Sequence, residues 1–285
     1  MPPAAVKCPR RFRGVRCALL LLPLALAAGC VTDAEPESDS GPEVILPYAP
    51  PGMKVTAAPF LDPVAPVVIA RGPRRPKRIA LTFDACSTER PSRYDERIVK
   101  VLTEMNVPAT LFLGGKWMEE HPEQTRYLAS LPQLELGNHS FLHPHMPRVS
   151  DERLRQELVW TQDVLYTITG RHATLFRAPY GEIDERTVRL AAETGLTTVQ
   201  FDLAAGDSDP RASKAKLVEY VTTMAKPGSI VVMHINRRGW HTAAALPEIV
   251  AKLRRRGFEF VTVGELLAGE PSRVAARRDE TKARP

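Results

Sequence analysis

Residues 134–144 read Leu134-Glu135-Leu136-Gly137-Asn138-His139-Ser140-Phe141-Leu142-His143-Pro144, a short apolar strand followed at once by two histidines. The histidines are four residues apart, so on a helical turn their side chains would share one face. Two neutral imidazoles on one face can bind zinc or a similar metal, although a catalytic zinc usually takes three protein ligands. The alternative is a pair of loop histidines with ordinary hydrogen bonds. The rest of the sequence has to decide between these interpretations.

The chain around this stretch alternates short apolar strands with helical segments. The helical segments carry apolar residues at i, i+3, i+4 spacing, and the repeated strand–helix–strand order predicts parallel strands with crossover helices. About seven such units predict an α/β fold, a closed or nearly closed (β/α) barrel. An open doubly wound sheet is the alternative, since periodicity does not separate the two. The predicted strands cover residues 79–83, 109–113, 134–136, 174–176, 196–201, 229–233 and 260–263.

Polar residues follow five of the predicted strands. In parallel α/β folds, the carboxyl ends of the strands carry the chemistry, so these side chains are expected at one rim. Packing alone does not explain five such coincidences. The residues are Asp84 after the first strand, His139 and His143 after the third, Arg177 to Gly181 after the fourth, Asp202 and Asp207 after the fifth, and His234 at the end of the sixth.

The same residues resemble the five ordered motifs of the polysaccharide deacetylases, the NodB-homology group or carbohydrate esterase family 4. The resemblance covers about residues 77–267 and implies a distorted (β/α) barrel. It also implies metal-dependent removal of N- or O-acetyl groups from glycans such as peptidoglycan, chitin oligomers or exopolysaccharides. The matching motifs are Thr82-Phe83-Asp84, His139-Ser140-x-x-His143-Pro144, Arg177-x-Pro179-Tyr180, Asp207 and Ile230-Val231-Val232-Met233-His234.

Amide hydrolysis needs a nucleophilic water, a polarised carbonyl and a proton for the leaving amine. A divalent metal on His139 and His143 would supply the first two, and Asp84 would be the general base. We expect zinc, with cobalt or nickel as alternatives. The resemblance implies the other roles: His234 as general acid, Arg177 orienting Asp84, Asp207 holding Arg177 or His234, and a backbone N–H near Tyr180 binding the oxyanion.

The first motif departs from the family at Ala85, where the resemblance implies a second aspartate as third metal ligand. A methyl group cannot bind a metal, and three interpretations follow. Water could complete a two-histidine site, a nearby residue such as Cys86 or Asp95 could substitute, or the site could bind glycan without hydrolysing it. We favour the first because the base, the acid and both histidines are present. Two tryptophans, Trp117 and Trp240, are candidates for stacking on sugar rings.

The front of the chain predicts export. Residues 1–29 combine a basic start with an apolar segment too short to span a bilayer, and small residues before Cys30 resemble a lipoprotein signal. This segment carries five positive residues, so it accounts for all but one of the formal net charge of +6. The predicted organisation is this signal, a Pro-rich disordered linker over 30–76, a deacetylase domain over 77–268 and a polar tail over 269–285.

The sequence therefore predicts a metal-dependent hydrolase that removes N-acetyl groups from a cell-envelope or extracellular glycan. We expect it to be a monomer, lipid-anchored at Cys30 in the outer membrane or periplasm, or else secreted. No phosphate-binding loop or nucleic-acid motif appears, so no nucleic-acid partner is expected. Two alternatives stay open: a non-catalytic glycan-binding relative, and an amidase acting on a non-sugar C–N bond.

Overall fold

A computed structural model describes residues 56–87 and 92–268 of the chain. The predicted signal peptide, Cys30, the first part of the linker and the tail over 269–285 lie outside these residues. In the part that is described, no helix is both long and apolar enough to cross a membrane.

Nine strands and eight α-helices occur in the described ranges. The strands are β1 (Val68–Ile69), β2 (Arg78–Ala85), β3 (Ala109–Leu113), β4 (Leu134–Asn138), β5 (Leu175–Phe176), β6 (Thr197–Val199), β7 (Leu203–Ala204), β8 (Ile230–His234) and β9 (Glu259–Phe260). The helices are α1 (Glu96–Glu104), α2 (Gly115–Glu120), α3 (Pro122–Ser130), α4 (Asp151–Thr169), α5 (Glu185–Glu193), α6 (Lys214–Met224), α7 (Thr242–Arg255) and α8 (Val263–Leu267).

The strands form one parallel sheet, which confirms the prediction of an α/β fold of the distorted (β/α) barrel type. Its order is β1-β6-β5-β4-β3-β2-β8-β7, and β9 pairs with the start of β2. Strand β2 pairs with β3, β8 and β9, and all eight of its residues are buried. Helices cover such a sheet, so its strands read as continuous apolar runs rather than as alternating ones.

The register of the sheet brings the predicted site residues together. Asp84 on β2 pairs with His234 on β8 and with Phe112 on β3. Further along the sheet, Asn138 at the end of β4 pairs with Phe176 on β5. Because these strands are parallel, the loops that follow them leave from one edge. The edge carries Asp84, the histidine loop, the Arg177 segment and His234, as the sequence predicted.

The prediction of a disordered linker up to residue 76 does not hold for residues 56–76. Strand β1 pairs with β6 through Val68 and Thr198. The amide of Val64 donates to the carbonyl of Ala192 at 3.0 Å. A Pro-rich composition gives no sign of such pairing, because the partners are backbone groups more than 100 residues away. The ordered region therefore begins before residue 77.

Candidate active site

Asp84 and Arg177 form a buried ion pair at the end of β2. Arg177 Nη1 donates to Asp84 Oδ1 at 2.9 Å and to Thr82 Oγ1 at 2.7 Å. The guanidinium is fully buried and lies 4.1 Å from the centre of the Phe112 ring. Burial has the largest effect and raises the pKa of Asp84, but Arg177, His139 and His234 together more than reverse this, so the pKa is below its ordinary value. The carboxylate is therefore ionised at neutral pH, and its position is fixed.

His139 presents a bare nitrogen to this carboxylate. Its Nδ1 lies 2.8 Å from the carbonyl oxygen of Arg177, which can only accept, so Nδ1 carries the hydrogen. The lone pair is then on Nε2, 3.9 Å from Asp84 Oδ2. Burial is the main cause that lowers the pKa of His139 below its ordinary value. The ring is neutral and oriented, as a metal-binding imidazole has to be.

His143 lies beside His139, but not on a helical turn. The residues between them form a loop in which Ser140 and His143 have φ of 61° and 60°. The two imidazole centres are 5.1 Å apart. Burial, followed by the neighbouring His139, lowers the pKa of His143 to about 3. Its Nδ1 is buried and has no hydrogen-bond partner among the described residues.

A buried glutamate holds the loop that carries both histidines, and sequence reasoning missed it. One oxygen of Glu157, on α4, accepts the amide N–H groups of Phe141 and Leu142, both at 2.7 Å. Its other oxygen accepts from Arg153 Nε and Nη2 at 2.9 and 2.6 Å. Asn138 adds a contact: its Oδ1 accepts the amide of Ser140 at 2.9 Å. In the sequence Glu157 looks like any other helix glutamate.

His234 and Asp207 form the second charged pair. His234 Nδ1 donates to Asp207 Oδ1 at 2.9 Å, and the amide of His234 donates to Oδ2 at 2.8 Å. Thr242 Oγ1 also donates to Oδ2, at 2.6 Å. Burial has the largest effect and lowers the pKa of His234, but the hydrogen bond and charge of Asp207, together with the charge of Asp84, outweigh it and the pKa is raised above its ordinary value. Of the two partners that the resemblance left open for Asp207, these bonds select His234.

The other aspartate after the fifth strand is not part of the cleft. Asp202 accepts the amide of Ile230 at 3.0 Å and the hydroxyl of Ser229 at 3.1 Å. These bonds hold the start of β8, so its role is structural.

Tyr180 lines the same cleft, and its ring centre lies 4.5 Å from that of His143. Its backbone is left-handed at φ 58°, and its side chain is exposed. The ring stacks on His145 with centres 4.2 Å apart and planes 10° from parallel. His145 Nδ1 in turn donates to Glu182 Oε2 at 2.8 Å. The sequence pointed to Tyr180 but not to the two residues that hold its ring.

At position 85, where the family resemblance implies a third metal ligand, the side chain is a buried methyl group. Ala85 is fully buried and is not among the described residues that line the cleft, whereas Cys86 is. Cys86 Sγ accepts from Asn236 Nδ2 at 3.4 Å, and Asp95 is the N-cap of α1, bound to Arg97. Among the described residues, no three His, Cys, Asp or Glu side chains are grouped as a metal site would require. The described residues therefore do not support the interpretation that Cys86 or Asp95 serves as the third metal ligand in place of residue 85.

The walls of the cleft add residues that the sequence did not single out. Phe201 and Arg238 line it together with the predicted residues. Trp240 is 57% exposed, and its amide donates to the carbonyl of Asp207 at 3.0 Å. Trp117 is fully buried, with Nε1 bound to the carbonyl of Arg93, so the prediction that it stacks on sugar is wrong.

Comparisons with known proteins agree with this geometry. A family model described as polysaccharide deacetylase matches residues 71–199. A peptidoglycan-N-acetylglucosamine deacetylase of Bacillus cereus is 30% identical over 196 residues, which cover 67% of this chain and 69% of that protein. A peptidoglycan-N-acetylmuramic acid deacetylase of Bacillus subtilis is 27% identical over 206 residues, which cover 71% of this chain and 76% of the relative.

Solved structures are similar as well. A carbohydrate esterase family 4 pseudoenzyme from Bacillus anthracis aligns with a TM-score of 0.66 at 28% identity, covering 73% of this chain and 71% of that one. A mutant of it with restored enzymatic activity aligns with the same TM-score at 29% identity, covering 73% of each chain. The chain therefore belongs to the polysaccharide deacetylase family, a family of hydrolases that act on the carbon–nitrogen bond of N-acetyl groups.

Proposed function

We propose that this protein is an exported, metal-dependent deacetylase that removes N-acetyl groups from a cell-envelope glycan, with peptidoglycan as the first candidate. The observation that carries the proposal is the pairing of two opposite proton-transfer groups on adjacent strands. Arg177 favours the ionised form of Asp84, and Asp207 favours the protonated form of His234. The two residues are register partners on β2 and β8. A base and an acid on neighbouring positions of adjacent strands are suited to the cleavage of one amide bond.

The histidines are suited to a divalent metal. His139 offers a bare Nε2, and His143, whose ring centre lies 5.1 Å from that of His139, has a buried Nδ1 without a hydrogen-bond partner in the described part of the chain. We propose zinc as the metal, held by these two histidines and completed by water, with cobalt or nickel as alternatives. When bound, the metal supplies Lewis acidity that polarises the acetamide carbonyl and makes water easier to deprotonate. With two protein ligands instead of three, we expect weak binding.

The chain's own residues account for the proton transfers. Asp84 takes a proton from the attacking water as its oxygen bonds to the carbonyl carbon. The amide N–H near Tyr180 donates a hydrogen bond to the developing oxyanion, a contribution of about 3 kcal/mol in comparable sites. His234 then gives its proton to the amide nitrogen as the C–N bond breaks. The products are acetate and a free amine, and Arg177 keeps Asp84 in place throughout.

Export and anchoring are part of the proposal. The basic and apolar start of the chain and Cys30 support a lipid-anchored protein of the cell envelope. Relatives named as peptidoglycan deacetylases work on a substrate found there. We propose that residues 77–268, together with the paired segment before them, act as one monomeric catalytic domain.

A second candidate function is glycan binding without hydrolysis. Two observations favour it: Ala85 replaces the third ligand that the family resemblance implies, and a pseudoenzyme is among the similar structures. In this case Asp84 and His234 would be retained as glycan contacts.

The test measures metal content and acetate release on one preparation of the purified full chain. Acetylated chitin oligomers and peptidoglycan are the substrates, with zinc, cobalt or nickel added in turn. We expect acetate release in the wild type and its loss in Asp84→Asn, by about 10²–10⁴-fold, because the general base is removed. His139→Ala should lose both the metal and the activity. His172→Ala is the matched control, because His172 is an exposed histidine outside the cleft.

The outcomes separate the two candidate functions. Acetate release that disappears in Asp84→Asn and His139→Ala, but not in His172→Ala, supports the deacetylase. Absence of acetate with every metal, together with retained glycan binding, would replace it with the binding protein.

A further inference from the structure

The end of the barrel opposite the cleft carries a cluster of basic residues. Because the strands are parallel, the segments that lead into them lie at the edge opposite the one that carries Asp84. Three of these segments, residues 71–77 before β2, 225–229 before β8 and 254–258 before β9, contain exposed lysines and arginines, and we call this surface the basic end. Its exposed cations are Arg71, Arg74, Arg75, Lys77, Lys226, Arg254, Arg255 and Arg256.

Contacts between the three segments hold these cations together. Arg74 Nη1 donates to the carbonyl oxygen of Pro227 at 2.7 Å. Lys77 Nζ donates to the carbonyl oxygen of Arg256. The side chains of Lys77 and Arg256 also share the ring of Phe258, with Nζ 5.0 Å and Cζ 5.1 Å from its centre. The segments therefore form one surface rather than three separate loops.

Most of the positive charge at the basic end has no carboxylate beside it. Of the eight cations, Arg74 alone forms an ion pair with a described residue, Asp202, at 3.7 Å. The side chains of Lys77, Arg254 and Arg256 bond to backbone carbonyl groups, which do not neutralise a charge. The chain after residue 29 has a formal net charge of only +1, so the remainder of that chain is negative overall. The positive charge is thus concentrated at one end of the domain.

The chain enters the domain at this same end. The amide of Thr56, the first described residue, donates to Thr167 Oγ1 at 2.8 Å, in the last turn of α4. The amide of Val64 donates to the carbonyl of Ala192, in the last turn of α5. Both helices lead into strands of the sheet, so their last turns lie opposite the cleft. The segment that connects the domain to Cys30 therefore joins it at the end that carries the cations.

We propose that the basic end docks on the anionic phospholipid headgroups of the membrane to which Cys30 anchors the chain. The inference rests on the lipid anchor of the proposed function, but it does not depend on hydrolysis. An anionic membrane surface attracts lysines and arginines that lie near it, and an extended surface faces many of them at once. The attraction acts over about one Debye length, roughly 8 Å at physiological ionic strength. In this orientation the cleft opens away from the membrane.

The anchor makes weak docking effective. Even fully extended, residues 31–55 span no more than about 90 Å, so an anchored domain cannot leave the neighbourhood of the membrane. Docking of the basic end is then an intramolecular step with a high effective concentration.

Residues 31–55 are themselves a competing occupant of the basic end, because they contain five carboxylates. These are Asp33, Glu35, Glu37, Asp39 and Glu43. Five carboxylates would leave part of the charge of eight cations in place, whereas a membrane supplies headgroups in excess. The charges therefore favour the membrane, and the test separates the two occupants.

The test measures binding of the processed chain, from residue 30 on, to sedimented lipid vesicles. Cys30→Ser removes the acylation site, so no acyl chain contributes to the binding. Vesicles of phosphatidylcholine alone are compared with vesicles that also contain phosphatidylglycerol. We expect binding to the anionic vesicles only. It should be lost when the salt concentration rises from about 0.1 M to about 1 M, because the Debye length falls from about 10 Å to about 3 Å.

The informative variant combines Arg71→Gln, Lys226→Gln and Arg255→Gln, one cation from each segment. In the described part of the chain these three side chains make no hydrogen bond or ion pair, so the fold should be kept, and circular dichroism checks this. Each lysine or arginine near such a surface is worth roughly fivefold in the partition coefficient. We therefore expect the triple variant to bind anionic vesicles about 100-fold more weakly.

The matched control combines Arg93→Gln, Arg148→Gln and Arg237→Gln. It changes the net charge equally, but these exposed arginines lie in segments that follow β2, β4 and β8, at the cleft end of the barrel. The control should lower the partition coefficient by no more than about threefold, because its charges lie beyond a Debye length from the docked surface.

Each outcome decides for or against the inference. A loss of about 100-fold in the basic-end variant, with a nearly unchanged control, supports it. Equal binding to neutral vesicles, absence of binding to anionic ones, or an equal loss in both variants overturns it. Binding that appears only after the five acidic residues of 31–55 are changed to Asn or Gln assigns the basic end to that segment and also overturns it. Acetate release, measured without vesicles, reports on the deacetylase separately.

Discussion

Glu157 is the buried support of the histidine loop, and replacing it should destabilise the protein. Glu157→Ala leaves the amides of Phe141 and Leu142 without their acceptor. Both bonds are 2.7 Å long and Glu157 is fully buried, so each orphaned N–H costs about 1–3 kcal/mol. Arg153 also loses its partner, but its side chain is 19% exposed and water compensates in part. We expect a loss of about 3–5 kcal/mol in the free energy of unfolding.

A milder substitution tests the same reasoning. Glu157→Gln keeps one carbonyl oxygen, which can still accept the two amides, while its NH₂ group faces the donors of Arg153. We therefore expect the free energy of unfolding to fall by about 1–3 kcal/mol, which is less than the loss expected for Glu157→Ala. Urea unfolding followed by circular dichroism measures both variants, with the midpoint and the slope reported separately.

The control is Glu152→Ala on the same helix. Glu152 is exposed, and among the described residues its side chain accepts from Gln156 alone, at 2.9 Å. Its replacement should change the free energy of unfolding by no more than about 0.5 kcal/mol. If Glu157→Ala falls within 1 kcal/mol of this control, the carboxylate does not carry the loop and the argument is refuted.

Three further predictions concern the cleft. Asp207→Asn removes the charge that raises the pKa of His234, so the alkaline limb of the pH profile of kcat/KM should move to lower pH, because the acid loses its proton earlier; an unmoved limb would contradict this role. Gly239→Ala places a Cβ 2.6 Å from the carbonyl oxygen of His234 and 2.7 Å from Asp207 Oδ2, so a urea titration should show a loss of about 1–3 kcal/mol. Ala85→Asp returns the carboxylate that the family resemblance implies, and calorimetric titration should show tighter zinc binding than in the wild type; equal affinity would mean that the side chain does not reach the metal.

The sequence predicts those strands that a local run of apolar residues is enough to identify. Strand β2 contains an apolar run, and the predicted bounds of β3 are the observed ones, because a parallel strand buried on both faces is mostly apolar rather than alternating. Strands β1 and β7 have two residues each, and neither length nor period marks them. The pairing of residues 56–76 with the barrel depends on distant backbone groups that leave no trace in composition.

Some residues of the site could likewise be predicted from the sequence and others could not. His139, Arg177 and His234 lie at strand ends, so their residue types and their order along the chain identify them. The function of Glu157 depends on where the loop amides come to lie, which no helix pattern contains. The prediction for Trp117 is wrong because the sequence alone does not distinguish an aromatic residue of the core from one that is exposed and stacks on a sugar ring.

The register between β2 and β8 bears on how this protein can diverge. Asp84 and His234 are rungs of one backbone ladder, so main-chain hydrogen bonds between adjacent strands set their spacing. A change at position 85 leaves those rungs in place. A change at position 85 can therefore alter metal binding without altering the spacing of Asp84 and His234. One nucleotide change turns the alanine codons GCU and GCC into aspartate codons, so from either codon a single step would restore the motif implied by the family resemblance, with Asp84 and His234 still register partners.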